Sequence, residues 1–244
     1  MSTSRVWRFI DSGAALAAVN MALDEELLAK AATEDVLPVL RFYAWDPAAV
    51  SIGRFQKKQT AVNEDACKKL GIDIVRRITG GRAVLHHNEL TYSIISRTDN
   101  TLFPNSVLGT YKVIAGGLLA GLNLLGISAE MVSRSGRHAG LVNRNSDDHA
   151  CFSSPSWYEI LANGRKIVGS AQRRMSTAFL QQGSILIDYD PALEAQVIPG
   201  NGAADVVTSI QRELGREVSS DEVKQAFRKG FAQALGMELN ASIR

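Results

Sequence analysis

The chain has 244 residues, 45% of them hydrophobic and 21% charged, with 27 basic and 25 acidic side chains for a formal net charge of +2. That mix supports one core of ordinary size and lacks the excess of positive charge expected of a general nucleic-acid binder. No apolar run approaches the roughly 20 residues of a bilayer span, and Met1–Phe9 lacks the basic-then-apolar order of a signal peptide, so the expectation is a cytoplasmic protein that engages neither nucleic acid nor membrane. The two cysteines, Cys67 and Cys151, form no Cys-x-x-Cys pair and are expected as free thiols. His86, His87, His138 and His149 show no ligand spacing. Asp147, Asp148, His149 and Cys151 could in principle ligate a metal but have no second half elsewhere, so no metal and no cofactor are expected.

In chain order, Val6–Ile10 is strand-like, and Asp11 and Ser12 are candidate caps for a helix from about Ala14 to Ala31, with Leu16, Val19, Leu23, Leu27 and Leu28 at helical spacing. Pro38–Trp45 and Ala49–Phe55 are two strands joined at the turn dipeptide Asp46-Pro47. Asn63 caps a short helix that Gly71 ends. Ile72–Ile78, Arg82–Leu85 and Leu90–Ser96 follow as strands, then a long apolar helix over Val107–Leu125 that stops at Gly126. Ser133–Asp148 is a polar loop. Trp157–Ala162 and Arg165–Ser170 flank Asn163-Gly164, a strong two-residue hairpin signal. Phe179–Asp188 is another strand, and beyond Pro199 the pattern turns helical, with Ser219 and Glu222 forming a capping box before a helix closed by Gly236. Strands and helices are interspersed without strict alternation. The expectation is an α+β fold with a mixed or largely antiparallel sheet flanked by helices, as a domain over residues 1–200 with a helical extension over 201–244 packed on it.

Three segments carry candidate chemistry. In Arg76-Arg77-Ile78-Thr79-Gly80-Gly81-Arg82-Ala83-Val84-Leu85-His86, the glycine pair permits a tight turn and close backbone approach to a ligand, with arginines on either side for acidic groups. On spacing alone a basic surface turn stands first. In His149-Ala150-Cys151-Phe152, the cysteine becomes a nucleophile if a nearby cation lowers its pKa. Its ordinary reading is a small buried hydrophobe, and Cys67, inside a helix, is more so. His149 sits two residues away, so a Cys-His pair is also open, beside an ordinary solvated histidine. In Arg165-Lys166-Ile167-Val168-Gly169-Ser170-Ala171-Gln172, Lys166 is either a snorkelling edge residue or a site lysine.

Taken in order, these segments resemble the biotin/lipoate protein ligase and octanoyltransferase superfamily, over about Trp7 to Asp188. Arg76–His86 resembles its substrate-binding signature, Glu89-Leu90-Thr91-Tyr92-Ser93 the strand after it, and Gly164–Gln172 its lysine motif. Arg82 stands where the ligase branch usually has a third glycine, and 244 residues leave little room for the accessory domain of many ligases. Cys151-Phe152, Pro155–Glu159 and Gly169-Ser-Ala-Gln are similar instead to the branch of octanoyltransferases with a cysteine before the lysine strand. His87 departs from relatives that commonly place an acidic residue there.

The resemblance implies that Cys151 is the acyl-thioester nucleophile and that Lys166 lowers its pKa. Arg76, Gly80, Gly81, Arg82, His86, Gly169, Ser170 and Ala171 are the implied substrate-binding set, and Val84, Ile167 and Ala171 candidates to line an acyl tunnel. The implied donor is octanoyl-acyl carrier protein, steered by Arg76, Arg77, Arg82, Arg165, Arg173 and Arg174. The implied acceptor is a lysine of the glycine-cleavage H protein or a lipoyl domain. Three alternatives stay open: an ATP-dependent lipoate–protein ligase, an amidotransferase moving octanoyl between lipoyl proteins, and a non-catalytic protein that binds lipoate or a carrier protein.

Overall fold

A computed structural model describes residues 5–132, 159–200 and 205–241. Its main sheet has eight strands: β1 (Val6–Ala15), β2 (Val39–Trp45), β6 (Glu89–Arg97), β7 (Ala129–Met131), β8 (Ile160–Ala162), β9 (Arg165–Arg174), β10 (Ala178–Leu186) and β11 (Glu238–Ala241), in the order β11-β1-β2-β6-β10-β9-β8-β7. Only β1 pairs in parallel, with β11 and β2; every other pairing in that sheet is antiparallel. A second sheet, β4 (Asp73–Arg76), β3 (Ala49–Ile52) and β5 (Val84–His86), stands beside it. The expected α+β class with a largely antiparallel mixed sheet is what the chain forms.

The period-2 alternation of a strand sorts β2 into two layers. Leu40 and Phe42 join the core beneath helices α4 (Val107–Leu124) and α7 (Ser220–Leu235), with Trp7, Tyr92, Phe179 and Phe231. Val39 joins Leu27, Leu28 and Ala31 of α1 (Ala17–Thr33) on the opposite face. Helices α4 and α7 meet where glycines replace side chains. A Cβ on Gly117 would lie 2.2 Å from the Phe231 ring, and one on Gly121 would lie 2.6 Å from Phe227. Helix α4, 18 residues long with a mean hydropathy of 1.4, is the one described helix long and apolar enough to cross a bilayer. That corrects the sequence reading, which found no run of such length and apolarity. Here its face of Ile114, Leu118 and Leu122 is buried in the main core. A smaller core of Val50, Ile52, Cys67, Ile72 and Leu85 binds the second sheet to α3 (Glu64–Leu70) and α5 (Pro191–Val197).

Several punctuation residues act as expected. Asn63 accepts a hydrogen bond from the Ala66 amide and Ser219 one from Glu222, and both Gly71 and Gly236 end their helices in the left-handed conformation. Asn163 (φ 49°) and Gly164 (φ 74°) both have positive φ, as the tight β8–β9 hairpin demands. Two expectations need correction, and a third gains detail. Asp11 and Ser12 do not cap α1, because a bulge between Asp11 and Ala14 lets β1 run on to Ala15 and the cap position falls on Leu16, which makes no side-chain bond. The strands around Asp46-Pro47 belong to different sheets, so that turn passes the chain from one to the other. The chain after Pro199 also contributes strand: β11 pairs with β1, and Val207 bridges to Lys166. The Ser133–Asp148 loop lies outside the described residues.

Candidate active site

A cavity of about 200 Å³ opens between the two sheets. Its wall includes Ser51 of β3, Gly81 and Arg82 of the β4–β5 turn, Val84 and His86 of β5, Gly169–Ala171 of β9 and Gln182–Ser184 of β10. The glycine turn is built around Arg77. Its guanidinium, buried beneath the turn, donates to the Gly80 carbonyl (2.8 Å), the Arg82 carbonyl (2.6 Å), and the Ser51 carbonyl (2.8 Å) and hydroxyl (3.0 Å). Gly81 holds φ at +91°, and a Cβ there would come 2.9 Å from Arg77 Nη2. Any side chain at 81 would therefore meet both backbone strain and the guanidinium.

His86 stands at the centre of a buried polar chain. Its Nε2 lies 2.7 Å from Ser51 Oγ and its Nδ1 2.8 Å from Glu89 Oε1. The ring is stacked on Trp45 with centroids 4.0 Å apart, and Trp45 Nε1 donates to Glu89 Oε1 (3.1 Å) and to the Thr91 hydroxyl (2.7 Å). Thr91 in turn donates to Glu89. On β9, the Ser170 hydroxyl meets the Tyr92 hydroxyl at 2.8 Å, and burial pushes the Tyr92 phenol up to about 12, so it stays a neutral hydrogen-bonding group at physiological pH. Two cavity-lining groups, Gln182 Oε1 and Ser184 Oγ, are buried with no hydrogen-bond partner among the described residues. Such atoms are costly to bury unless something else completes them.

Of the residues named from the sequence, Gly81, Arg82, His86, Gly169, Ser170 and Ala171 line the cavity, as do the tunnel candidates Val84 and Ala171. Gly80 lies just behind, its carbonyl on Arg77. Ile167 is packed in the main core. Arg76 is turned to the neighbouring loop, where Nη1 donates to the carbonyls of Gly53, Arg54 and Gln56. Lys166 is fully buried and ion-paired with Glu159, which itself lines the cavity. Among the expected steering arginines, Arg77 is interior, Arg165 pairs with Glu213 at 3.2 Å and Arg174 donates to Asn105 at 2.8 Å. Cys151, His138 and His149 lie outside the described residues.

Residues 17–232 match the lipoyl protein ligase A/B catalytic domain family. The chain belongs to that family. It is 42% identical over 246 residues to the octanoyltransferase LipM of Brevibacillus brevis, covering 97% of this chain and 89% of the relative. It is 39% identical to the enzyme of the same name from Bacillus subtilis, covering 96% and 87%. Among solved structures it superposes on a lipoate-protein ligase A bound with ATP at a TM-score of 0.80, with 24% identity, covering 97% of this chain and 88% of that one. It also superposes on a bipartite lipoate protein ligase of Thermoplasma acidophilum at 0.76, with 21% identity, covering 97% and 86%. At those identities the solved structures speak for the fold alone.

Within that family frame, sequence reasoning missed Ser51, Glu159, Gln182 and Ser184 as cavity residues, and Glu89 as the partner of His86. The one signal available for Glu89 was its spacing three residues after His86. Nothing in the sequence sets Ser51 apart in an apolar strand.

Proposed function

We infer that this chain moves an octanoyl group from acyl carrier protein to a lysine of a lipoyl-carrying protein, through an acyl thioester on Cys151. That it is an octanoyltransferase of lipoate biosynthesis rests on one observation, the roughly 40% identity to octanoyltransferases along nearly the whole chain. A cytoplasmic location goes with this reading, and the glycine-cleavage H protein or a lipoyl domain is the acceptor it favours. Support for Cys151 as the relay comes from the other thiol. Cys67 is packed in the small-sheet core, and burial together with the nearby Glu64 pushes its pKa up, so it is the wrong thiol to ionise. Only Cys151 is left in the chain.

In the proposed cycle the Cys151 thiolate attacks the donor thioester, the C–S bond to the carrier breaks, and the carrier sulfur takes up the proton that Cys151 gave up on ionising and leaves as a thiol. The acceptor amine then attacks octanoyl-Cys151 and an amide forms, returning the cysteine. Thioester exchange is nearly isoenergetic and amide formation runs downhill, so no ATP is consumed. Lys166 supplies the positive charge that favours the thiolate, with Glu159 as its counter-ion. The Gly81 side of the cavity offers backbone near the reacting carbonyl. Intact-mass measurement after mixing with octanoyl-acyl carrier protein, without ATP, tests this. A gain of one octanoyl group, absent from Cys151→Ala and discharged by acceptor, is expected. No adduct, with lipoyl-AMP formed from lipoate and ATP instead, would make the chain a ligase.

A further inference from the structure

We propose that Ser51, His86 and Glu89 form a proton relay that takes the proton released by the acceptor lysine and passes it out of the active-site cavity. The inference rests on the octanoyl-transfer reading and adds a device to it. Donor and acceptor chemistry fixes the direction of the chain. A guanidinium has no acceptor, so Ser51 Oγ accepts from Arg77 Nη1 at 3.0 Å and its own hydrogen is left to give. The Glu89 carboxylate already accepts from Trp45 and Thr91, so His86 Nδ1 carries a hydrogen and donates to it at 2.8 Å. His86 Nε2 is therefore the lone-pair nitrogen, and the Ser51 hydroxyl donates to it at 2.7 Å. Stacking on Trp45 holds the ring in this orientation.

The two ends of the relay face different spaces. Ser51 lines the cavity of Gly81 and Ser170. Glu89 lines a second cavity of about 380 Å³ with His87, Asn88 and Asp188, and His86 stands in the wall of both. Glu89 Oε2 is buried without a hydrogen-bond partner among the described residues, so the relay ends on an acceptor with capacity to spare. The charged groups facing it are Arg77 at the serine end, Arg82 and Glu159 across the first cavity, and His87 and Asp188 across the second.

Amide formation needs such a path. The acceptor lysine arrives as an ammonium, and its nitrogen has no lone pair until a proton leaves. That proton passes to Ser51 Oγ as the serine hydrogen moves to His86 Nε2, giving an imidazolium steadied by Glu89. The imidazolium then releases its Nδ1 proton on the Glu89 side to the second cavity; once the amide product has left, solvent refilling the first cavity takes the Nε2 hydrogen through Ser51 as the second cavity returns one to Nδ1, which restores the starting tautomer. The freed amine attacks the acyl thioester, the C–N bond forms, the C–S bond breaks with the electron pair on sulfur, and the second proton that the nitrogen must lose goes to that sulfur and returns the Cys151 thiol. Because the donor half-reaction moves acyl from sulfur to sulfur, it has no use for the relay.

Rapid-mixing kinetics on Ser51→Ala and His86→Asn would separate the halves. Acyl-enzyme formation from octanoyl-acyl carrier protein is expected to slow by less than about tenfold, and transfer to the acceptor lysine by roughly 10²-fold. Hydroxylamine, already an unprotonated amine at neutral pH, should discharge the acyl group from both variants as fast as from wild type. Equal loss with lysine and hydroxylamine, or no loss with either, would overturn the relay. Ser51→Ala removes one oxygen and leaves Arg77 its bond to the Ser51 carbonyl, so it keeps the test alive should His86→Asn fold poorly. Absence of an acyl-enzyme in wild type would instead count against the covalent route, and the lysine-to-hydroxylamine contrast in overall transfer would still judge the relay.

Discussion

Two buried polar networks lie on the same sheet and differ in how they end. Beneath α1, Arg41 donates to Asp24 (2.6 Å), to the Asn20 side chain (2.8 Å) and to Ser12 (2.7 Å), while Tyr43 and Ser93 also donate to Asp24. None of that network's buried polar atoms is left without a partner, and it borders neither the first nor the second cavity. Around His86, by contrast, Glu89 Oε2, Gln182 Oε1 and Ser184 Oγ have no hydrogen-bond partner among the described residues, and their side chains line cavities. A closed network fixes how α1 sits on the sheet; an open one keeps capacity for something that comes and goes. Burial of charge alone does not separate the two, but the open ends do.

The largest effect should follow Lys166→Met, which keeps the length and removes the charge. Transfer is expected to fall by roughly 10²- to 10⁴-fold, and breaking the buried Lys166–Glu159 pair should cost about 3–5 kcal/mol of stability in urea titrations. Asp24→Ala should match that stability loss, about 3–5 kcal/mol, while turnover per folded molecule stays at the wild-type level. An activity loss there would erase the distinction between closed and open networks. Ser184→Ala deletes a hydroxyl that bonds to nothing described, so the unfolding midpoint should hold or rise slightly. The KM for the octanoyl donor should move, since the polar wall of the cavity has changed. The smallest effect concerns Cys67, whose thiol is pushed up by burial. Iodoacetamide at pH 7, followed by peptide mass mapping, should leave it unmodified in folded protein and label it in urea.

Local chemistry made much of this legible. Asn63, Gly71, Ser219, Gly236 and Asn163-Gly164 announce ends and turns because their side chains, or the lack of one, act on neighbouring backbone. The glycine turn and the Gly169–Ala171 strand announced the cavity through resemblance. What stayed hidden depends on distant partners. The extension of β1 past Asp11 is set by pairing Ala14 with Ala44 and Ala15 with Trp45, which no local propensity encodes. Arg77 looked like a surface cation beside Arg76, yet one is buried under the turn and the other lies outside it, a one-residue alternation that strand β4 decides. Ser51 acquires meaning only when β5 brings His86 next to it.

Strand β11 sets Glu238 opposite Val6 and Ala241 opposite Phe9. The strand that covers one side of β1 is thus synthesised long after β1 itself. Until then, a growing polypeptide would carry β1 with one row of amides and carbonyls open to other chains. Completion of the main sheet waits on Glu238–Ala241, and a chain stopped short of Glu238 would carry its unfinished edge for good.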